Sequence, residues 1–136
     1  MTLNAQLDSY CKAFNDRGLD AILALFSDHA LFEMPLLGQR LLGKSEIGAG
    51  LRRIFDVTES AAITLSGFKE SQVLIIAEGR LVAKLRRDSS PVTIPLAISL
   101  QAQDGRISRL STYLDARPHR LWTDGRIFAP SQASSQ

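Results

Sequence analysis

Eight residues, GQRLLGKS from Gly38 to Ser45, fit the spacing of a phosphate-binding loop: glycine, four residues, glycine, lysine, serine. The chemistry would be a nucleotide held by backbone amides, with Lys44 on the outer phosphates and Ser45 on magnesium. The loop's interior, QRLL, is bulky, and one strand stopped by Pro35 precedes it. A phosphate loop joins a buried parallel strand to a helix within repeated βαβ units, and hairpin signals follow here instead. The plainer reading is a turn at Gly43, a solvated Lys44 and a helix capped by Ser45. The remaining groups able to move a proton are Tyr10, Asp115 and His119, with Glu33 and His29 as lesser candidates. Glu33 lies between Phe32 and Met34, so strand alternation turns it away from their shared face, toward the surface or a dimer interface. No histidine pair or cysteine–histidine spacing suggests a metal, and no cofactor is implied.

The elements that would position these groups follow from periodicity. Residues 3 to 16 read as an amphipathic helix carrying Leu3, Leu7, Tyr10, Cys11 and Phe14 on one face, with Gly18 near its C-cap. A short helix starts at about Leu19 and is broken by Ser27-Asp28-His29. Residues 30 to 35 form a short strand, residues 36 to 43 a loop, and a third helix runs from Ser45 to about Phe55. Strand patterns then fill the chain from Ala61. VLIIAEG and RLVAKLRR form one long strand bent at Gly79, or two. Val92, Ile94, Leu96, Ile98 and Leu100 share one face of the next strand, Asp104-Gly105 makes a hairpin, and RISRLSTYLD is the last strand. Helices followed by hairpin-connected strands give an α+β fold: a curved antiparallel sheet, with three N-terminal helices around a hydrophobic cavity. Residues 1–122 read as a single domain and 123–136 as a tail whose last seven residues have a disordered composition.

The chain has 136 residues, 45% hydrophobic and 22% charged, with a net charge of +2. That charge is too small to argue for nucleic acid. No apolar run is long enough to span a membrane, and no secretory signal opens the sequence. Cys11 is the single cysteine. It fits a reducing compartment, and a cytoplasmic location is the expectation.

The run YCKAFNDRGLDAILALFSDHALFEMPL, then LLGKSEIGAGLRRIF, then ISLQAQDGRISRLSTYLD resembles the SnoaL-like branch of the nuclear transport factor 2-like superfamily, over about residues 5 to 120. The resemblance implies a cone-shaped α+β barrel, a central hydrophobic cavity and a homodimer packed through the sheet. It also implies a range of activities, from ketosteroid isomerases and polyketide cyclases to epoxide hydrolases and non-enzymatic binding modules. Tyr10 matches the helix-one tyrosine of the isomerases. Met34 stands where their base would be and Ile98, or Ala97 if the register slips by one, where their protonated acid would be, and none of these ionises. Thr112 takes the place of the epoxide hydrolases' last-strand acid. The expected ligand-binding wall is therefore apolar: Phe14, Phe32, Met34, Phe55, Leu96 and Ile98, with Tyr10 and Thr112 as its polar members. Such a wall suits a small hydrophobic ligand of polycyclic, polyketide or steroid type. An isomerase or cyclase using Tyr10, with Asp115 or His119 as proton carrier, and a dimerising regulatory module are the alternatives. The reading of a dry cavity for such a ligand fails if the interior is too small for even a two-ring compound.

Overall fold

The structure is a computed structural model and describes residues 2–115. Helix α1, Leu3–Asn15, is capped by Thr2, whose hydroxyl accepts from the Ala5 amide at 3.0 Å. It ends one residue earlier than glycine placement suggests. Arg17, not Gly18, takes the left-handed conformation (φ 59°), and the Arg17 and Gly18 amides bond back to Phe14 and Ala13. This is the paired C-terminal bonding in which glycine normally fills the left-handed position. Helix α2, Leu19–Leu25, leads directly into strand β1, Phe26–Met34. Ser27-Asp28-His29 thus continues into a strand rather than a break. Its pairing to β6 is irregular between Phe26 and Leu31.

After a 3-10 turn at Pro35–Leu37, the segment expected as loop forms strand β2, Gln39–Leu42, antiparallel to β1. Gly38, left-handed at φ 67°, closes this hairpin. Four residues are too few to show alternation convincingly, so the strand is decided by its partner. Helix α3, Gly43–Val57, begins earlier than expected. Gly43 (φ 85°) turns the chain, and the Leu42 amide donates to the Glu46 carboxylate at 2.8 Å, so Ser45 is not the cap.

Strands β3 (Thr58–Glu70), β4 (Ile75–Leu85), β5 (Pro91–Gln103) and β6 (Arg106–Leu114) complete the sheet. Its order is β2-β1-β6-β5-β4-β3. The α+β class with three N-terminal helices stands. One detail is corrected: the sheet is mixed rather than antiparallel, because β1 runs parallel to β6. Among the described residues it is open, with β2 and β3 as edges. The parallel pair follows from topology: the N-terminal strand reaches the C-terminal one across the whole chain.

Gly79 lies inside a single β4. A methyl there would sit 2.0 Å from the Thr64 carbonyl oxygen, opposite the register shift between Leu65 and Gly67. Glycine therefore lets the backbones close at a bulge. The β5 alternation holds: Val92, Ile94, Leu96, Ile98 and Leu100 are all buried. They form the sheet side of one core, against Leu7, Tyr10 and Phe14 of α1 and Ile47, Leu51 and Ile54 of α3. The end of α3 is fastened by two arginines. Arg17 and Arg86 both donate to the Phe55 and Thr58 carbonyls, and the Arg17 guanidinium lies 4.8 Å over the Phe55 ring.

Candidate functional site

The loop-like GQRLLGKS is hairpin and helix start. Gln39 to Leu42 pair with β1, and Lys44 sits 3.7 Å from the Asp28 carboxylate. Nothing in that geometry cradles a phosphate. The site with concentrated chemistry is the interior between α1, α3 and the sheet.

Here Tyr10 and Phe14 of α1, Phe32 and Met34 of β1, Leu96 of β5 and Thr112 of β6 meet, joined by Leu51, Ile54, Ile63, Leu81 and Leu114. Six of the expected wall residues are therefore brought together. Phe55 and Ile98 are not on this wall. Phe55 is held at the α3 terminus between Phe14 (ring centroids 5.4 Å apart) and Arg17. Ile98 is fully buried and paired in register with Thr112 on the same face of the sheet, but it is not among the side chains that meet here. Asp115 follows the last strand and does not line the interior. His119, the tail from 123 and the far end of the expected domain lie outside the described residues.

The space these side chains enclose is about 20 Å³. A water molecule needs roughly 10–15 Å³, and a cavity of about 150 Å³ is the scale that takes benzene. The interior as it stands has room for one water and not for a two-ring compound, so the expectation of an open cavity for a polycyclic ligand is not met. Packing, not polarity, sets this limit: Tyr10 stacks edge-on to Phe26 (6.2 Å), which in turn meets Phe32 (6.3 Å).

Two polar groups sit in this wall. Tyr10 is 2% exposed and Thr112 5%. Neither hydroxyl has a hydrogen-bond partner among the described residues. Burial, helped by the neighbouring Cys11, pushes the Tyr10 phenol far above its ordinary pKa. It therefore stays protonated and can donate. Burial likewise pushes the Cys11 thiol up to about 12, with Asp8 adding to the shift. Among the described residues no cluster of histidine, cysteine, aspartate or glutamate could hold a metal.

On the opposite face of the sheet, Glu33 points away from the interior as alternation requires. It is nevertheless buried (8% exposed), which corrects the expectation of a surface residue. One carboxylate oxygen, Oε1, accepts from Arg109 Nε (3.1 Å), Arg109 Nη2 and Ser111 Oγ (2.9 Å); Arg40 lies 3.9 Å from the other oxygen. Burial alone would raise the Glu33 pKa, but the bonds from Arg109 and Ser111 and the charges of Arg109 and Arg40 outweigh it and hold it below the usual range. Sequence reasoning missed this cluster. Arg109 and Ser111 share a face of β6, but nothing local shows that β6 neighbours β1.

Residues 7–110 match the SnoaL-like domain family. The chain belongs to that family. No curated protein matches it. Among solved structures, a protein of Shewanella denitrificans assigned provisionally as a SnoaL-like polyketide cyclase superposes with a TM-score of 0.77 at 13% identity, over 90% of this chain and 95% of that one. A protein of Pseudomonas putida, assigned provisionally as a polyketide cyclase, gives 0.72 at 20% identity, over 85% and 92%. A hypothetical protein of Catenulispora acidiphila with a ketosteroid isomerase-like fold, solved with trimethylamine, gives 0.74 at 16%, over 83% and 86%. At these identities the likeness establishes the fold of this SnoaL-like domain. Among the described residues, no helix is long and apolar enough to cross a membrane.

Proposed function

We propose that this SnoaL-like domain is a non-catalytic binding protein for a small, uncharged, mostly apolar molecule carrying one hydrogen-bonding oxygen. The observation that carries the reading is the pair of buried hydroxyls, Tyr10 and Thr112, which have no hydrogen-bond partner among the described residues in an otherwise apolar wall. A buried polar group left unpaired costs about 1–3 kcal/mol, so such a pair calls for a guest. In the resting interior that guest is no larger than a water. A single-ring ligand enters only if the wall widens, and Met34 is the side chain best able to re-form. Polycyclic ligands need a larger displacement still. A protonated Tyr10 donates to the guest, and the absence of any carboxylate or imidazole on the described wall argues against proton transfer. The isomerase or cyclase alternative would need a carrier brought in from Asp115 or His119. We place the protein in the cytoplasm, with its single buried thiol reduced.

The test is a thermal-shift series with phenol, cyclohexanone and naphthol on the wild type, Tyr10→Phe and Thr112→Val. A ligand at a hundred times its dissociation constant stabilises by about 2.7 kcal/mol. Phenol or cyclohexanone should raise the wild-type midpoint by several degrees, and Tyr10→Phe should reduce the shift. No shift with any of the three would sink the reading.

A second reading is a homodimerising interaction module. It is favoured by the filled interior and by Ile76 (49% exposed), Val82 and Tyr113, apolar side chains exposed on the strands. Light scattering at micromolar concentration separates a dimer from a monomer.

A further inference from the structure

Among the described residues the β1–β6 seam is the one parallel pairing in the sheet, and parallel ladders are slightly weaker per residue than antiparallel ones. Its register breaks between Phe26 and Leu31. Beyond that break, the backbone pairs Leu31–Arg109, Phe32–Leu110 and Glu33–Ser111 join the end of β1 to β6. The wall residues stand at that junction. Phe32 is within it, Met34 follows Glu33, and Thr112 follows Ser111. On the outer face of the same three residue pairs, Glu33 Oε1 collects three donors, all from β6. Charge-assisted bonds of this kind are about twice as strong as neutral ones.

We infer that Glu33 is a positioning residue that sets the width of the interior. By stapling β1 to β6 from behind, it fixes the spacing of Phe32 and Met34 from Thr112, and so decides the size of molecule admitted. Glu33 touches no ligand itself. This inference rests on the interior being a ligand site. Its physical core, a seam held closed from the outer face, can be tested without any ligand.

Glu33→Gln keeps the shape, removes the charge and turns an amide toward Arg40. Two readouts are needed. The first is the affinity of naphthol and phenol for Glu33→Gln, the wild type and Arg86→Ala, the last being a destabilised control at the far end of α3. Naphthol should bind Glu33→Gln about tenfold tighter than the wild type, because a larger fraction of the protein is open. Arg86→Ala should show no such gain. Equal gains in both variants, or none in Glu33→Gln while phenol binds the wild type, would overturn the inference and leave the ligand reading standing. The second readout is amide hydrogen exchange. Exchange at residues 31–33 and 109–111 should quicken about tenfold relative to the β3–β4 ladder, since a weaker seam opens locally more often. A uniform increase across the sheet would overturn the inference even if neither probe binds. If Glu33→Gln does not fold, Ser111→Ala removes one donor, and the same local quickening is required of it.

Discussion

Arg17 occupies a left-handed backbone position that favours glycine, and its side chain explains why. A non-glycine residue there costs about 1–2 kcal/mol. In return, its guanidinium donates to the Thr58 hydroxyl at 3.2 Å, to the Thr58 carbonyl at 2.8 Å and to the Phe55 carbonyl, and covers the Phe55 ring. These carbonyls end α3, where a positive charge is favoured by the helix dipole. Bonds from charged donors contribute about 1.5–3 kcal/mol when buried. Arg17 is half-buried and Arg86 serves the same two carbonyls, so a loss of about 1–2 kcal/mol is the scale for Arg17→Ala. Arg17→Gly loses the same bonds but relieves the backbone, so it should cost about 1 kcal/mol less. At about 4 °C per kcal/mol for a chain of this size, Arg17→Ala should melt about 4–8 °C low, and Arg17→Gly within about 4 °C of the wild type. Because either arginine alone can serve the carbonyls, Arg17→Ala with Arg86→Ala should lose more than the sum of the single losses. Chemical denaturation of the four proteins measures this. Arg17→Ala as stable as the wild type, or Arg17→Gly no better than Arg17→Ala, would refute the balance of strain against clamp.

Gly79→Ala should be severely destabilising, by more than about 3 kcal/mol, because the added methyl meets backbone at 2.0 and 2.8 Å; circular dichroism melting would detect it, and a near-native midpoint would contradict the bulge. Asn15 bonds both backbone groups of Ile63 on edge strand β3, accepting from its amide at 2.7 Å and donating to its carbonyl at 3.2 Å. Asn15→Ala should therefore lower stability by about 1 kcal/mol and increase self-association in light scattering, since an open edge invites pairing. Glu33 has a depressed folded pKa, so its contribution is present above the ordinary carboxylate pKa and is lost as the pH falls through the lower folded value. The acid limb of stability against pH should be flatter in Glu33→Gln. Cys11, raised to about 12, should resist thiol reagents at pH 8 in the native protein and react on unfolding.

The sequence by itself determined what local periodicity and turn chemistry can carry. The apolar stripe of α1, the inward row from Val92 to Leu100 and the turn at Asp104-Gly105 are all legible because each is encoded within a few residues. So were most of the interior's members, through those stripes and the family resemblance. Tertiary structure decided the rest. β2 is a strand because β1 lies beside it, since QRLL has no period of its own. Arg17 displaces glycine at the helix end because a distant helix terminus supplies its ligands. Phe55 leaves the wall for the same clamp. Glu33 is buried because β6, 76 residues away at Arg109, brings three donors to it. The volume of the interior depends on how eleven side chains from seven elements interlock. Alternation can say which way a side chain points, but not how much space remains between it and its neighbours.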